Sequence, residues 1–377
     1  MAVYTKLTHL DISRHLSNYQ IGELVKFEEI IEGIDNSNFV LFTSEGKFIL
    51  TIFESRINKA QLPFFINFEL HLARNGIDCP RPIFDNQGLA IADLCGKRSA
   101  IVTFLSGKNL KPRADGYYDN ITAKHCAEVG RALAQMHLAA QDFLPQQGKD
   151  SAKREFLLQQ DNDLAKQNSL FRRENDLGAK DWRLLFSKIE GLIKNFYCAD
   201  FLISKKNSDP VYSSDFLQEN LNFATKKQNL HAEILDAITF LEKAWRLDLP
   251  SAAAHLDLFP DNIFFDENKK VSGVIDFYFA ANEALIYDFA IAANAWCFDE
   301  NNNFSEEKFL SLKNGYENFR KFSPQELDFL PIALCGAALR FLLTRLHDMF
   351  FTPKNSLVKI KDPQEYLAKL RFFRKLI

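Results

Sequence analysis

No C-x-x-C pair occurs in this chain, and its six cysteines, Cys79, Cys95, Cys126, Cys198, Cys297 and Cys335, are scattered without a His at zinc spacing. That excludes a zinc ribbon or a disulfide framework and fits small, reduced core residues of a cytosolic protein. An excess of charge is also lacking: the formal net charge is -3 and the pI is near 6.3, so no net field draws nucleic acid or an anionic membrane. The opening residues, "MAVYTKLTHLDISRHL", lack the basic start, apolar core and small-residue cleavage site of a signal peptide. No run approaches the roughly 20 apolar residues of a membrane span. A cytoplasmic protein with neither a nucleic-acid nor a membrane partner is expected. The phosphate-cradling G-x-x-x-x-G-K-[ST] is missing too, and the first third of the chain has no G-x-G-x-x-G. No internal repeat interrupts the reading.

What is present is 377 residues with 47% hydrophobic content, enough for two lobes, since single cores stop growing at roughly 250–300 residues. The 36 Phe residues are assigned to core packing. After an opening helical segment, "LVKFEEI", "NFVLFT" and "KFILTIFE" read as strands, the last two joined by a hairpin at Ser44-Glu45-Gly46. Residues 60–75 read as a helix with Pro63 in its first turn, Phe65, Phe68 and Leu72 on one face, and Gly76 as the stop. "GLAIADL" and "SAIVTFL" are two further strands around the turn Cys95 to Arg98, and the first lobe is expected to end near Leu105. From Thr122 the pattern turns helical, with Cys126, Val129, Leu133 and Met136 on one face. Residues 195–230 are polar, weakly periodic and read as a surface insertion.

The helical pattern is broken by "HLDLFPDNIFFDENKKVSGVIDF". Here "NIFF" and "VSGVID" flank the polar turn "DENKK", which predicts an antiparallel hairpin. Asn262 opens one strand and Asp276 closes the other, so the pairing brings both side chains to one end, with Asp257 in the loop just before. Two carboxylates and an amide oxygen are hard donors suited to Mg²⁺, an ion that takes its remaining ligands from water and substrate phosphates. The order His-x-Asp-x-x-x-x-Asn with a later strand-ending Asp is that of kinases, in which the first Asp accepts the substrate hydroxyl proton while the Asn and second Asp hold the metal. The competing reading makes Asp257, Asp261 and Asp276 turn caps and His255 a packing residue.

On these residues the chain resembles the aminoglycoside phosphotransferase and choline kinase group, which shares a protein-kinase-like fold. Within that group it is most similar to the bacterial homoserine kinases. The resemblance runs through "GIDNSNFVLFT", "FILTIFE", "LPFFINFELHLA", "AIVTFLSG", "GRALAQMHLA", "HLDLFPDNIFFD", "GVIDFYFA", "YDFAIAANAWCF", "GAALRFLLTRLHD" and "KDPQEYLAKLRFFRK", in order along nearly the whole chain. It implies an α+β, two-lobed fold: a small antiparallel sheet with one helix over residues 1–105 that binds nucleotide, and a mainly α-helical catalytic lobe over 106–377 that contains the 195–230 insertion. It also implies ATP and Mg²⁺, phosphorylation of the L-homoserine hydroxyl, and Asp257, Asn262 and Asp276 as the catalytic set, with Asn262 and Asp276 on the metal. Ser37 and Asn38, in the turn Gly33 to Asn38, with Thr51 and Thr103, are the positions implied for the nucleotide, although a plain β-turn explains Ser37 and Asn38 equally well.

One departure stands out. Where the wider group places a strand lysine on the phosphates, paired with a helix Glu, "FILTIFE" has Thr51. Lys47 shares the parity of Thr51 on an extended strand, but an ordinary solvated hairpin lysine is the favoured reading; Glu69 is the corresponding helix acid. After Asp276, "NEALIYDFAIAANAW" reads as a helix with Leu285, Phe289, Ala292 and Trp296 on one face and Asp288 supporting the catalytic loop. His137 and His347 read as helix-surface or satisfied core residues. A zwitterionic acceptor needs a cation for its carboxylate, Arg340 or Arg345, and an acceptor for its ammonium, Asp348 or Glu283, although a surface or inter-helix salt bridge is the favoured reading of each taken singly. The basic C-terminal stretch from Lys359 to Lys375 interleaves acids with an apolar stripe and predicts a docked helix rather than a nucleic-acid site. The alternatives are a kinase for choline, ethanolamine, a sugar or an aminoglycoside, and a nucleotide-binding regulatory protein.

Overall fold

A computed structural model describes residues 4–30, 36–54, 59–113, 118, 120–143, 182–196, 230–352 and 360–377. The chain divides into two compact units, Met1–Leu170 with Pro250–Ser323, and Phe171–Leu249 with Pro324–Ile377. This division does not follow the expected boundary near residue 105. The hairpin carrying the kinase-like motif returns to the first part of the chain, where Val274 donates its N–H to the Asp78 carbonyl at 2.9 Å. Sheet and motif therefore share one unit.

In that unit α1 (His9–Leu16) is started by a capping box between Thr8 and Asp11. Five antiparallel strands follow in the spatial order β1-β2-β3-β5-β4: β1 (Leu24–Ile30), β2 (Asn36–Thr43), β3 (Gly46–Phe53), β4 (Ala92–Leu94) and β5 (Lys97–Thr103). Between β3 and β4 runs α2 (Leu62–Arg74), which starts on Pro63 and ends at Gly76 with φ +78°. The strands alternate as a half-buried sheet must. Phe39, Leu41, Leu50, Ile52 and Ile101 point to one face, where Ile12 and Leu16 of α1 cover them together with Tyr19 and Ile21. The partner residues Asn38, Thr51 and Ala100, paired across β2, β3 and β5, point to the other.

Thr122 caps α3 (Ala123–Ala140), whose Cys126, Val129, Leu133 and Met136 are buried as the spacing predicts. The Glu306–Glu317 helix crosses α3 at two glycines. A Cβ on Gly130 would stand 2.0 Å from the Leu312 carbonyl oxygen, and one on Gly315 2.1 Å from that of Ala127. The motif hairpin pairs β8 (Ile263–Phe265) with β9 (Val271–Val274) and gains a third strand, β6 (Lys108–Asn109), too short to read from sequence. A further pair joins β7 (Ser251–Ala254) to β10 (Ala281–Ala284). The expected helix from "NEALIYD" thus begins later, at Leu285, because Asn282, Glu283 and Ala284 are ladder residues of β10. The Leu285–Trp296 helix is buried nearly all round, Ile286, Tyr287 and Ile291 as well as Leu285 and Phe289.

The second unit is helical among its described residues: Trp182–Phe196, Leu230–Ala244, Pro324–Phe351 and Pro363–Arg374. Trp245 stands 4.8 Å from Trp182 and 4.9 Å from Phe329, ring centre to ring centre. Gly336 leaves room for both indoles. The Pro324–Phe351 helix is long and apolar enough by composition to cross a membrane, which the sequence reading of apolar runs missed, yet 67% of its most apolar stretch is buried, as in a core helix. The C-terminal helix docks as expected, burying Tyr366, Leu367, Leu370 and Phe373, with Arg371 bidentate on Glu233 at 2.7 Å. The 195–230 insertion, apart from its ends, and Gly33 to Asp35 lie outside the described residues.

Candidate active site

The loop after β7 is held from behind. Asp288, fully buried, accepts the His255 N–H at 2.9 Å with one carboxylate oxygen and the Leu256 N–H at 2.9 Å with the other. His137 Nε2 lies 3.1 Å from the same carboxylate, and its Nδ1 lies 2.8 Å from the Tyr316 hydroxyl. The tautomer follows from the partners: Nε2 donates to Asp288, so Nδ1 accepts from Tyr316. Burial alone would raise the Asp288 pKa, but the hydrogen bonds from His137 and the Leu256 N–H hold it below the usual carboxylate range. His255 Nε2 donates to the Ile275 carbonyl at 2.9 Å while its Nδ1 accepts the Asp257 N–H at 3.2 Å. Burial lowers the His255 pKa, which keeps the ring neutral and suits that pattern. Both of its nitrogens are engaged with backbone, so His255 braces the loop against the hairpin.

Asp257 is half-buried and touches Asn262 directly. The Asn262 amide nitrogen donates to the Asp257 carbonyl at 2.8 Å and to its carboxylate at 3.2 Å. Ile263 pairs with Val274, and Ile275 donates to the Asn262 carbonyl at 3.0 Å, which sets Asp276 one residue beyond. Asp276 adopts φ +67°, ψ +63°, a left-handed conformation uncommon for a residue other than glycine. With its nitrogen given to Asp257, Asn262 has its amide oxygen left as a ligand, and the Asp276 carboxylate is a second hard oxygen. This donor set fits Mg²⁺.

Of the four positions expected to meet the nucleotide, two share a face of the sheet. Asn38 and Thr51 are cross-strand partners, and Thr51 donates its hydroxyl to the Asn38 amide oxygen at 2.8 Å. Ser37 falls on the α1 face instead. It has no exposed surface, donates to Glu54 at 2.6 Å and accepts the Tyr4 N–H at 2.8 Å. Thr103 pairs with Phe48, shares that face, and its hydroxyl accepts the Arg81 N–H at 3.0 Å. Strand parity decides both, since successive side chains alternate. A lysine–glutamate pair does exist in the sheet, but it joins Lys97 to Glu54, and Thr5 completes it. Lys47 is exposed and hovers over Phe42 and Phe104, 5.3 and 5.5 Å from the ring centres.

Glu69 projects from α2, meets no lysine among the described residues, and is 2% exposed. Burial, with the negative charge of Asp276 second, pushes its pKa up to about 8. One of its oxygens has no hydrogen-bond partner. Beside it, the Tyr278 ring packs edge-on against Phe53 and Phe65, 5.4 and 5.9 Å between ring centres.

Among the residues expected to meet the acceptor, Glu283 lies on β10 in the first unit and accepts the Ala284 N–H at 2.9 Å. Arg340, Arg345 and Asp348 lie on the Pro324–Phe351 helix of the second. Arg345 is occupied: buried, it donates to Glu365 and to the Asp362 carbonyl at 2.6 Å each. Arg340 stacks near Phe341, 5.1 Å from the ring centre. The sequence reading missed the linkage of His137 and Tyr316 to Asp288 and the position of Tyr278. A pairing across 151 residues leaves no local signal.

The model of the phosphotransferase enzyme family matches residues 26–191 and 205–322. The chain belongs to this family. Among curated proteins it is 41% identical over 373 residues to the homoserine kinase of Bartonella henselae, covering 99% of this chain and 97% of that one. It is 38% identical to the homoserine kinase of Brucella ovis, covering 100% and 95%. Among solved structures it resembles an amicoumacin kinase (TM-score 0.59, 13% identity, 98% of this chain and 92% of the other) and a spectinomycin phosphotransferase (0.59, 13%, 99% and 95%). At that identity the structural likeness shows the fold: the phosphotransferase chain has the protein-kinase-like α+β architecture expected of it.

Proposed function

We propose that the protein is an ATP-dependent kinase that phosphorylates the side-chain hydroxyl of L-homoserine, giving O-phospho-L-homoserine on the way to threonine. The 41% identity to a homoserine kinase over 99% of the chain carries this reading. In it, Asp257 orients the substrate hydroxyl and takes its proton as the oxygen bonds to the γ-phosphorus and the bond to the bridging oxygen of ADP breaks. Such catalysis is largely positioning and charge neutralisation. Asn262 and Asp276 would hold Mg²⁺, whose chemistry when bound is to neutralise phosphate charge. Asn38 and Thr51 stand on the sheet face assigned to the nucleotide. For the zwitterionic acceptor, Arg340 is the candidate for the carboxylate and Glu283 or Asp348 for the ammonium; Arg345, tied to Glu365, is left as structural. The location proposed is the cytoplasm.

The test is ADP release by purified protein with Mg-ATP, offered homoserine, serine, threonine, choline, ethanolamine and kanamycin. Turnover confined to homoserine is expected. Turnover on another acceptor would replace the substrate and keep the kinase, and bound ATP with no turnover on any would favour a regulatory protein.

A further inference from the structure

Ahead of α1, Tyr4 and Thr5 fasten onto one end of three neighbouring strands. Their N–H groups both donate to the Ser37 hydroxyl of β2, at 2.8 and 3.1 Å. Ser37 gives its own proton to the Glu54 carboxylate, just past β3, at 2.6 Å, and the Thr5 hydroxyl donates to the same oxygen at 2.7 Å. Lys97 of β5 completes the clasp, donating to the Thr5 hydroxyl at 2.7 Å and to the other Glu54 oxygen. Two residues on from Thr5, Leu7 enters the apolar cluster of Ile12, Phe39 and Ile52. Glu54 is 8% exposed, and burial opposes its charge, but the bonds from Lys97, Ser37 and Thr5 hold its carboxyl below the ordinary range. Burying a carboxylate is a costly way to fill space, since apolar side chains of similar volume are often as stable. A satisfied polar network instead specifies one arrangement of its members. Here the arrangement is that of the start of β2, an end otherwise free to fray. Asn36 accepts the Glu54 N–H at 3.4 Å with its side chain, Ser37 is held in the clasp, and Asn38, on the opposite face, accepts from Thr51 at 2.8 Å.

We infer that this clasp positions the nucleotide: Thr5, Ser37 and Glu54 are positioning residues that hold the start of β2 so that Asn38 meets the nucleotide at a fixed place. At Asn38 and Thr51 the nucleotide face offers neutral groups, with Thr51 standing where a strand lysine would reach the phosphates. A neutral hydrogen bond depends on direction more than a point charge does, so the placement of Asn38 matters more here than beside a lysine. The inference rests on the phosphotransfer reading but not on the identity of the acceptor.

The test is calorimetric binding of Mg-AMP-PNP to the full chain, beside apo thermal melting and steady-state kinetics. Thr5→Val keeps the shape and removes the hydroxyl that Glu54 and Lys97 share. It should weaken binding and raise the KM for ATP by about three- to tenfold, the scale of one net hydrogen bond, with kcat and the KM for homoserine unchanged. Thr5→Ser restores the hydroxyl and should bind like wild type. So should Lys6→Met, which breaks only an exposed ion pair of the same segment with Glu29. Asn38→Ala should itself weaken binding, and adding Thr5→Val to it should cost nothing more. Wild-type binding by Thr5→Val, even with a lower melting temperature, would overturn the inference and leave the clasp purely structural. Additive losses with Asn38→Ala, wild-type binding by Asn38→Ala, or a Thr5→Ser variant as weak as Thr5→Val would overturn it too. Should Thr5→Val not fold, Lys97→Met breaks the clasp from its half-exposed side and carries the same expectations. Failure of the homoserine reading would show separately, as wild-type protein that binds Mg-AMP-PNP and does not turn homoserine over.

Discussion

Asp288 accepts the Leu256 N–H at 2.9 Å, and Leu256 sits at φ +61°. A left-handed leucine costs on the order of 1–2 kcal/mol, so the carboxylate offsets a strain that the loop needs in order to present Asp257 one residue later. Asp288→Asn keeps the shape but offers one acceptor oxygen where three donors converge. It should lower stability by about 1.5–3 kcal/mol in urea unfolding, the scale of a hydrogen bond to a charged group. It should also reduce kcat more than it changes the KM for ATP. Wild-type stability would mean the loop holds its own conformation.

Asp257 and Asn262 should separate by role, although they touch. Asp257→Asn should cut turnover by about 10²–10⁴-fold, the usual contribution of a general base, while Mg-AMP-PNP still binds in a calorimeter. Asn262→Ala and Asp276→Ala should instead weaken that binding and make it less dependent on magnesium concentration. Unchanged turnover in Asp257→Asn would take the base away from Asp257.

The elements most open to reading were those set by local chemistry. Strand alternation, the Ser44–Gly46 turn, Pro63 and Gly76 around α2, and the hairpin beneath Asn262 and Asp276 all follow from neighbours in the chain. Parity was equally available for the nucleotide positions: counting by twos from Phe39 separates Ser37 from Asn38. What the chain did not disclose are links between distant segments. His137 meets Asp288 across 151 residues, and Arg345 is claimed by Glu365 from the next helix. The two-residue strand β6 leaves too short a pattern, and β10 looked helical because the helix after it is buried nearly all round.

Glu69 gives a pH signature. Its folded-state pKa is raised to about 8, chiefly by burial, so the native state keeps a proton that the unfolded chain releases near the ordinary value of 4.5. Between those two values the folded state binds more protons than the unfolded one, and stability must fall as pH rises. Glu69→Gln removes the titration. Without nucleotide or magnesium, the variant should gain on wild type from pH 5 to pH 8 by at most about 1.4 kcal/mol per pH unit, in urea midpoints read at constant ionic strength. A constant difference across that range would place a charged Glu69 in the folded protein.

Gly130 and Gly315 test whether the crossing of α3 with the Glu306–Glu317 helix positions the loop from behind. Tyr316 follows Gly315 directly, and His137 lies two turns along α3 from Gly130, so the depth of the crossing sets the 2.8 Å contact between tyrosine and histidine. A methyl at Gly315 would meet the Ala127 backbone, which cannot swing aside as a side chain can. Gly315→Ala should therefore cost at least the 1–3 kcal/mol typical of overpacking, in spite of the better helix propensity of alanine. It should also lower kcat by moving His137 away from Asp288. Gly191→Ala, on a helix where an added Cβ meets nothing within 4 Å, is the matched control and should be neutral or slightly stabilising. Equal melting temperatures for the two variants would show that the helices can separate without loss.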